Sequence, residues 1–136
     1  MSDRPVPKVT IDDREFWDSA RRHELMLQHC DACQRYFEPP VGNCAGCGSS
    51  DISWRQASGR GVLHTFNVYH RPYHPWFADR LPYNTAIIEL AEGVLLLSQV
   101  TNCALDDLRI GMSLEVVFED IEGGFTLPKF QPVPGV

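Results

Sequence analysis

CDACQRYFEPPVGNCAGC, residues 30–47, carries two Cys-x-x-Cys pairs, Cys30 with Cys33 and Cys44 with Cys47, separated by the ten residues Gln34 to Asn43. A tetrahedral zinc ion takes four soft donors at about 2.3 Å, and two tight turns each presenting Cys at i and i+3 meet that need once a hairpin brings them together. The intervening residues suffice for a short ribbon out and back. Pro39 and Pro40 stiffen the return, and Gly46 and Gly48 free the backbone of the second knuckle. Because all four ligands are thiolates, the expected Zn2+ is structural.

Other uses of thiols fit less well. The opening MSDRPVPKVTIDDREFW has neither the basic region nor the apolar run of a secretory signal, and the longest apolar stretch, Val94 to Leu97, is too short to span a bilayer. A cytoplasmic protein is therefore expected, with no membrane partner, and a reducing cytosol opposes a disulfide framework. A redox pair would sit beside a βαβ pattern, and no such helix follows Cys33 or Cys47. His29 adjoins the first ligand, but four thiolates already complete the shell, so a surface histidine is expected. Cys103 stands outside both pairs and reads as a small buried apolar residue.

With 136 residues and 43% hydrophobic content, the chain can build about one domain with a modest core. Twelve Lys and Arg against 18 Asp and Glu give a formal charge of −6, which a four-thiolate zinc site makes more negative still. Attraction to a phosphate backbone or an anionic membrane is disfavoured.

Outward from the knuckles, Asp12 and Glu15 have the spacing of a capping box, and Phe16, Trp17 and Ala20 trace one face of a helix expected over 13–24. The Pro-bearing arm before it and the helix itself pack either on the chain's own ribbon or on a partner. After Cys47 the pattern turns to strands. Trp54 lies in a first β segment and Gly59-Arg60-Gly61 is a hinge, which places a boundary near residue 58. Val62, His64, Phe66, Val68 and His70 alternate with Leu63, Thr65, Asn67 and Tyr69, the period of a two-faced strand. Segments 84–91 and 94–102 flank a tight turn at Glu92-Gly93, and Leu114, Val116 and Phe118 alternate with Glu115 and Glu119 before a last strand over 125–130. Five strands at this spacing without a long helix point to a small barrel.

Those segments, FWDSARRHEL, LQHCDACQRYFEPPVGNCAGCGS, SGRGVLHTF, LPYNTAIIELAEGV, RIGMSLEVVFED and LPKFQP, occur in the order and register of one family. The chain resembles the DUF35 proteins over nearly its whole length. The resemblance implies a mainly β fold: an N-terminal arm and helix at 1–28, a rubredoxin-like zinc ribbon at 29–57, and a five-stranded OB-fold barrel at 58–136. It further implies a noncatalytic accessory subunit in a hetero-oligomer with a thiolase-superfamily enzyme, such as a thiolase or a lipid-transfer-type aldolase, acting on carbon–carbon bonds of acyl-CoA esters. Catalytic residues would belong to the partner, and acyl-CoA would be met through the complex. The residues agree with that division. No cysteine has an obvious local base, and no phosphate-binding glycine loop or paired-carboxylate motif is recognisable; Asp106-Asp107 reads as a solvated turn.

RPYHPWFADRLPY, residues 71–83, is too aromatic for idle solvent. Prolines stiffen the loop, and Trp, Tyr and Arg dominate interface energetics, so Tyr73, Trp76 and Phe77, together with Phe16 and Trp17 of the helix, are candidate partner-binding residues. The plainer reading has Trp76 or Phe77 capping the open end of the barrel. His64 and His70 lie roughly 20 Å apart on an extended strand, too far to share one ion. Arg55, Arg60, Arg71, Arg80 and Lys129 are the cations available for a phosphate-bearing ligand. The competing function is an OB-fold binder of single-stranded nucleic acid, which would combine a basic groove with exposed stacking aromatics.

Overall fold

The structure, a computed structural model, describes residues 4–134. Its helix is opened by Thr10 and Asp13. The Thr10 N–H donates to Asp13 Oδ1 at 2.7 Å and the Asp13 N–H to Thr10 Oγ1 at 3.3 Å, a reciprocal pair that closes the turn ahead of the helix, two residues before the Asp12–Glu15 pair expected from sequence; the N-cap residue Asp13 itself makes no side-chain capping bond. Glu15 instead accepts from Ser19 Oγ one turn on. Helix α1 spans Arg14–Arg21 and stops short of residue 24, because His23 takes a φ of 60° and Leu25 already turns into the core. The helix packs on its own chain, against both β8 and the ribbon. Phe16 lies against the core and Trp17 meets the Phe125 ring edge-on at 6.1 Å.

Strands β1 (Met26–Cys30), β2 (Arg35–Phe37) and β3 (Ile52–Gln56) form an antiparallel sheet in the order β2-β1-β3. The central strand β1 begins at Met26, and its residues 27–30 are all buried between the two neighbours. Five further strands, β4 (Arg60–Tyr69), β5 (Tyr83–Leu90), β6 (Leu95–Ser98), β7 (Ser113–Ile121) and β8 (Phe125–Pro132), form a curled antiparallel sheet ordered β6-β5-β4-β7-β8. Its ends meet where Val100 bridges Phe130 in parallel, with the Phe130 N–H donating to Gln99 O and the Thr101 N–H to Phe130 O. This is the small five-stranded barrel the spacing predicts, with the OB-like form the family resemblance implies. Gly61 is required where β4 crosses β5, since a Cβ there would come within 2.6 Å of the Glu89 carbonyl oxygen.

Two strand details differ from the sequence reading. In β4 the register jumps from Leu63 opposite Ile88 to Thr65 opposite Ile87, leaving His64 as a bulge residue. The bulge inverts the alternation, so Leu63 shares the interior with Phe66 rather than lying on the other face. Strand β6 ends at Ser98, not residue 102, because Gln99 to Thr101 cross to β8 and Asn102 turns at φ 57°.

One apolar cluster unites both sheets. Leu25 and Leu27 of the ribbon are buried with Leu63, Ile88, Leu90, Leu114 and Phe130 of the barrel, and the Ala57 N–H donates to Leu25 O at the junction. Ribbon and barrel therefore stabilise one another. Among the described residues, no helix is long and apolar enough to cross a membrane.

Candidate metal centre and barrel cleft

Each knuckle is made by the same local device. After Cys33, Gln34 adopts φ 62° and its N–H donates to Cys30 O at 2.8 Å; after Cys47, Gly48 adopts φ 78° and its N–H donates to Cys44 O at 2.8 Å. A left-handed residue at the fifth position folds the chain back and turns both sulfurs of the pair to one side. The sequence reading identified Gly48 but not Gln34, whose side chain accepts this conformation while donating to Asp31 O.

The hairpin β1–β2 and strand β3 then bring the knuckles together. Cys30 and Cys44 are buried, Cys33 and Cys47 exposed, and the four Sγ atoms all lie within 4.8 Å of one another. The Cys30–Cys47 and Cys33–Cys44 sulfur separations are 3.5 and 3.7 Å. Four ligands at about 2.3 Å around one ion stand roughly 3.8 Å apart, so the cluster fits a structural zinc ion. The thiols also need a cation. The backbone N–H groups of Cys47 and Gly46 hold Cys44 down at about 6, whereas the hydrogen bond with Cys30 pushes Cys33 up to about 12. Bound metal supplies the positive charge that lets all four ionise together and locks the knuckles; with all four positions thiolate, the shell is closed to substrate.

His29 corrects an expectation. It is buried, not on the surface, because it sits in the central strand of the ribbon, and its Nδ1 lies 2.7 Å from Asp31 Oδ1 with its ring edge-on to Tyr36. The same carboxylate oxygen accepts from Ser53 Oγ and Arg55, tying β3 to the first knuckle; the hydrogen bond from His29, then those of Ser53 and Arg55, lower the Asp31 carboxyl below its usual range. Cys103 is half-buried against the core.

A cleft of about 860 Å³ lies between the arm, α1, the short 3-10 turn Pro75–Phe77, and strands β5, β6 and β8. Phe16, Trp17, Trp76 and Phe77 line it, as do Tyr83, Leu97, Arg80 and Lys129. Tyr73 stands apart, 75% exposed, with its ring edge-on to Tyr69. Phe77 stacks on Tyr83 at 4.5 Å and Tyr83 on Tyr69 at 5.1 Å, so most rings of the loop are engaged with one another. Trp76 has the Arg80 guanidinium 3.5 Å from its ring centroid and that of Arg4 at 4.5 Å. Of the other cations expected from sequence, Arg55 is held by Asp31 and Arg60 reaches Glu115 at 4.0 Å.

Sequence reasoning missed two groups in the cleft. Arg4 carries an ion pair to Glu119 at 2.7 Å, a contact across 115 residues that no local pattern encodes. Glu38 is half-buried, and burial, reinforced by the charge of Asp13, pushes its carboxyl up to about 7.

Two family models match in tandem: the ChsH2 rubredoxin-like zinc ribbon domain over residues 17–53 and the ChsH2 C-terminal OB-fold domain over 54–119. A chain of a solved structure described as an Ltp2-ChsH2(DUF35) aldolase is 33% identical, superposes with a TM-score of 0.85, and is covered over 98% of its length by 93% of this chain. A probable enoyl-CoA hydratase alpha subunit of Thermomonospora curvata is 34% identical over 95% of this chain, which spans 40% of that protein's length. A DUF35 domain-containing scaffold protein of Methanothermobacter thermautotrophicus is 32% identical over 74% of this chain and 76% of its own.

Proposed function

This chain belongs to the DUF35 family, and on that premise we propose that it is a noncatalytic accessory subunit docking on a thiolase-superfamily enzyme that makes or breaks carbon–carbon bonds in acyl-CoA esters. The observation that carries the reading is the likeness, at 33% identity and TM-score 0.85 over nearly the full length of both, to a chain of the Ltp2-ChsH2(DUF35) aldolase. Relatives named as a hydratase alpha subunit and as a scaffold protein support the same division of labour, in which a partner holds the reacting groups.

The site chemistry agrees. A closed four-thiolate centre fastens the ribbon and leaves no ligand position for a reaction. The shared core then fixes the ribbon against the barrel, so the aromatic loop and cleft are presented on a rigid body, which lowers the ordering entropy lost on association. In this proposal Tyr73, Trp76, Phe77, Phe16 and Trp17 meet the partner.

The competing nucleic-acid reading finds little support in the geometry. Rings that would stack on bases are stacked on one another, with Tyr73 the exposed member of the group, and the formal charge is −6. The test is to mix the purified chain with a lipid-transfer-type aldolase subunit of the thiolase superfamily, and separately with single-stranded DNA at low salt. A stable hetero-oligomer by light scattering, with no DNA binding, is expected; tight salt-sensitive DNA binding and no hetero-oligomer would overturn the proposal.

A further inference from the structure

Between Arg4 and α1 the arm makes little contact with the barrel. Pro5, Val6, Lys8, Val9 and Ile11 are all exposed, Val6 and Val9 by 44% and 43% and Ile11 by 87%. Pro7 is half-buried, and Arg4 is held by its side chain. Its side chain is only 17% exposed, its Nη2 donates to Glu119 Oε1 of β7 at 2.7 Å, and its guanidinium rests 4.5 Å from the Trp76 ring centroid. The same Glu119 oxygen receives Lys129 of β8 at 2.9 Å, so one carboxylate gathers a strand cation and an arm cation. Arg4 and Pro5 together form part of the cleft wall.

An arm with exposed apolar side chains, fixed at one end by the helix and at the other by one basic residue, has the construction of a strap. We propose that residues 4–9 are a releasable strap over the barrel cleft, with Arg4 as its latch on Glu119 and Trp76. Release requires loss of one charge-assisted hydrogen bond and one cation–π contact, with no change in either sheet. It would remove Arg4 from the Trp76 ring and from Glu119 in one step and lift Pro5 from the cleft wall. Glu119 is 44% exposed, so salt screens the latch and favours the open form. Arg80 keeps its place on Trp76 throughout, anchored by Trp76 O and Asp79.

Nitrogen-15 relaxation of the zinc-loaded full chain, without any partner, tests this independently of the docking proposal. At low salt the Val6 and Val9 amides are expected to be ordered, with order parameters near about 0.85. In Arg4→Met and in Glu119→Gln they should fall below about 0.6. The Trp76 indole resonance should shift in both variants, while the amides of β5 and zinc content stay unchanged. Molar salt should reproduce the effect in the unmodified chain and add nothing in Arg4→Met. The strap is refuted if Val6 and Val9 are already below about 0.6 in the unmodified chain at low salt, or if Arg4→Met leaves them ordered. It is equally refuted if that substitution perturbs the β5 amides, which would make Arg4 part of the barrel's support.

Discussion

Cys33 and Cys44, on different knuckles and eleven residues apart, bring their sulfurs to within 3.7 Å. Like Cys30 and Cys47 at 3.5 Å, they hold this approach without a covalent bond, and a cation that neutralises them is what the ribbon needs to fold. Removing zinc with a chelator, or substituting Cys44→Ser, should unfold the ribbon and destabilise the barrel with it, because Leu25 and Leu27 belong to the barrel's core. Metal binding supplies on the order of 10 kcal/mol in isolated zinc-finger peptides, ample to decide the fold of a three-stranded sheet. Scanning calorimetry with parallel metal analysis checks this. One zinc per chain and a large downward shift in Tm after chelation are expected, and an unchanged transition would count against it.

Barrel closure rests on Asn84, which is 5% exposed. Its Nδ2 donates to Val100 O and its Oδ1 accepts the Val100 N–H, both at 2.9 Å. Asn84→Ala leaves two buried backbone groups unpaired where the sheet's ends meet, and should lower unfolding free energy by roughly 2–4 kcal/mol in a urea titration. A loss below roughly 0.5 kcal/mol would mean that the closure is held elsewhere.

How much of this was legible in the sequence depended on whether a contact was local. The metal ligands were, because a knuckle is written within five residues, and so were the five barrel strands, whose alternation and turns are short-range. Gln34 was not, since glycine is the usual sign of a left-handed residue and glutamine gives none. His64 hid the phase of β4, because a bulge inserts one residue with no compositional mark. His29 looked like a surface histidine until pairing placed β1 at the centre of its sheet. Arg4 and Glu38 acquire their surroundings only through tertiary packing.

The knuckle backbone can be probed from both sides. A Cβ at Gly48 meets nothing within 4 Å, so Gly48→Ala should cost about 1 kcal/mol through its φ of 78° alone. Gln34→Gly relieves the same strain at φ 62° and should be neutral to stabilising by a few tenths of a kcal/mol, offset by the lost Asp31 hydrogen bond. In paired thermal melts of the zinc-loaded variants, Gly48→Ala should lower Tm and Gln34→Gly should leave it level or raise it.

Glu38 predicts a pH dependence. Its carboxyl is raised to about 7, burial being the main cause and the charge of Asp13 the second. Between the ordinary carboxylate range and that value, the folded chain holds a proton the unfolded chain has released. Stability from this group is therefore present in mild acid and lost as pH rises through about 7. Partial solvent contact reduces the effect to on the order of 1–2 kcal/mol. Glu38→Gln should gain stability over the unmodified chain at pH 8 but not at pH 5, in denaturant titrations at both values; a difference independent of pH would refute it.

Association with a partner should depend on the aromatic loop. Tyr73, 75% exposed, can be replaced by Ala without loss of core packing, and Trp76→Ala removes the ring between loop and cleft. Each should weaken docking by roughly 2 kcal/mol, with the barrel's melting transition preserved for Tyr73→Ala. Unchanged affinities in a calorimetric titration would move the interface to another face.

The most direct test of the accessory-subunit proposal is co-expression of the zinc-loaded chain with a lipid-transfer-type aldolase subunit of the thiolase superfamily, followed by light scattering and an acyl-CoA aldolase assay on each component and on the mixture. A stable hetero-oligomer whose activity exceeds that of the partner alone, with no turnover by this chain by itself, is the predicted result. Turnover of thioesters by the isolated chain, or two components that migrate independently with no gain in rate, would contradict it.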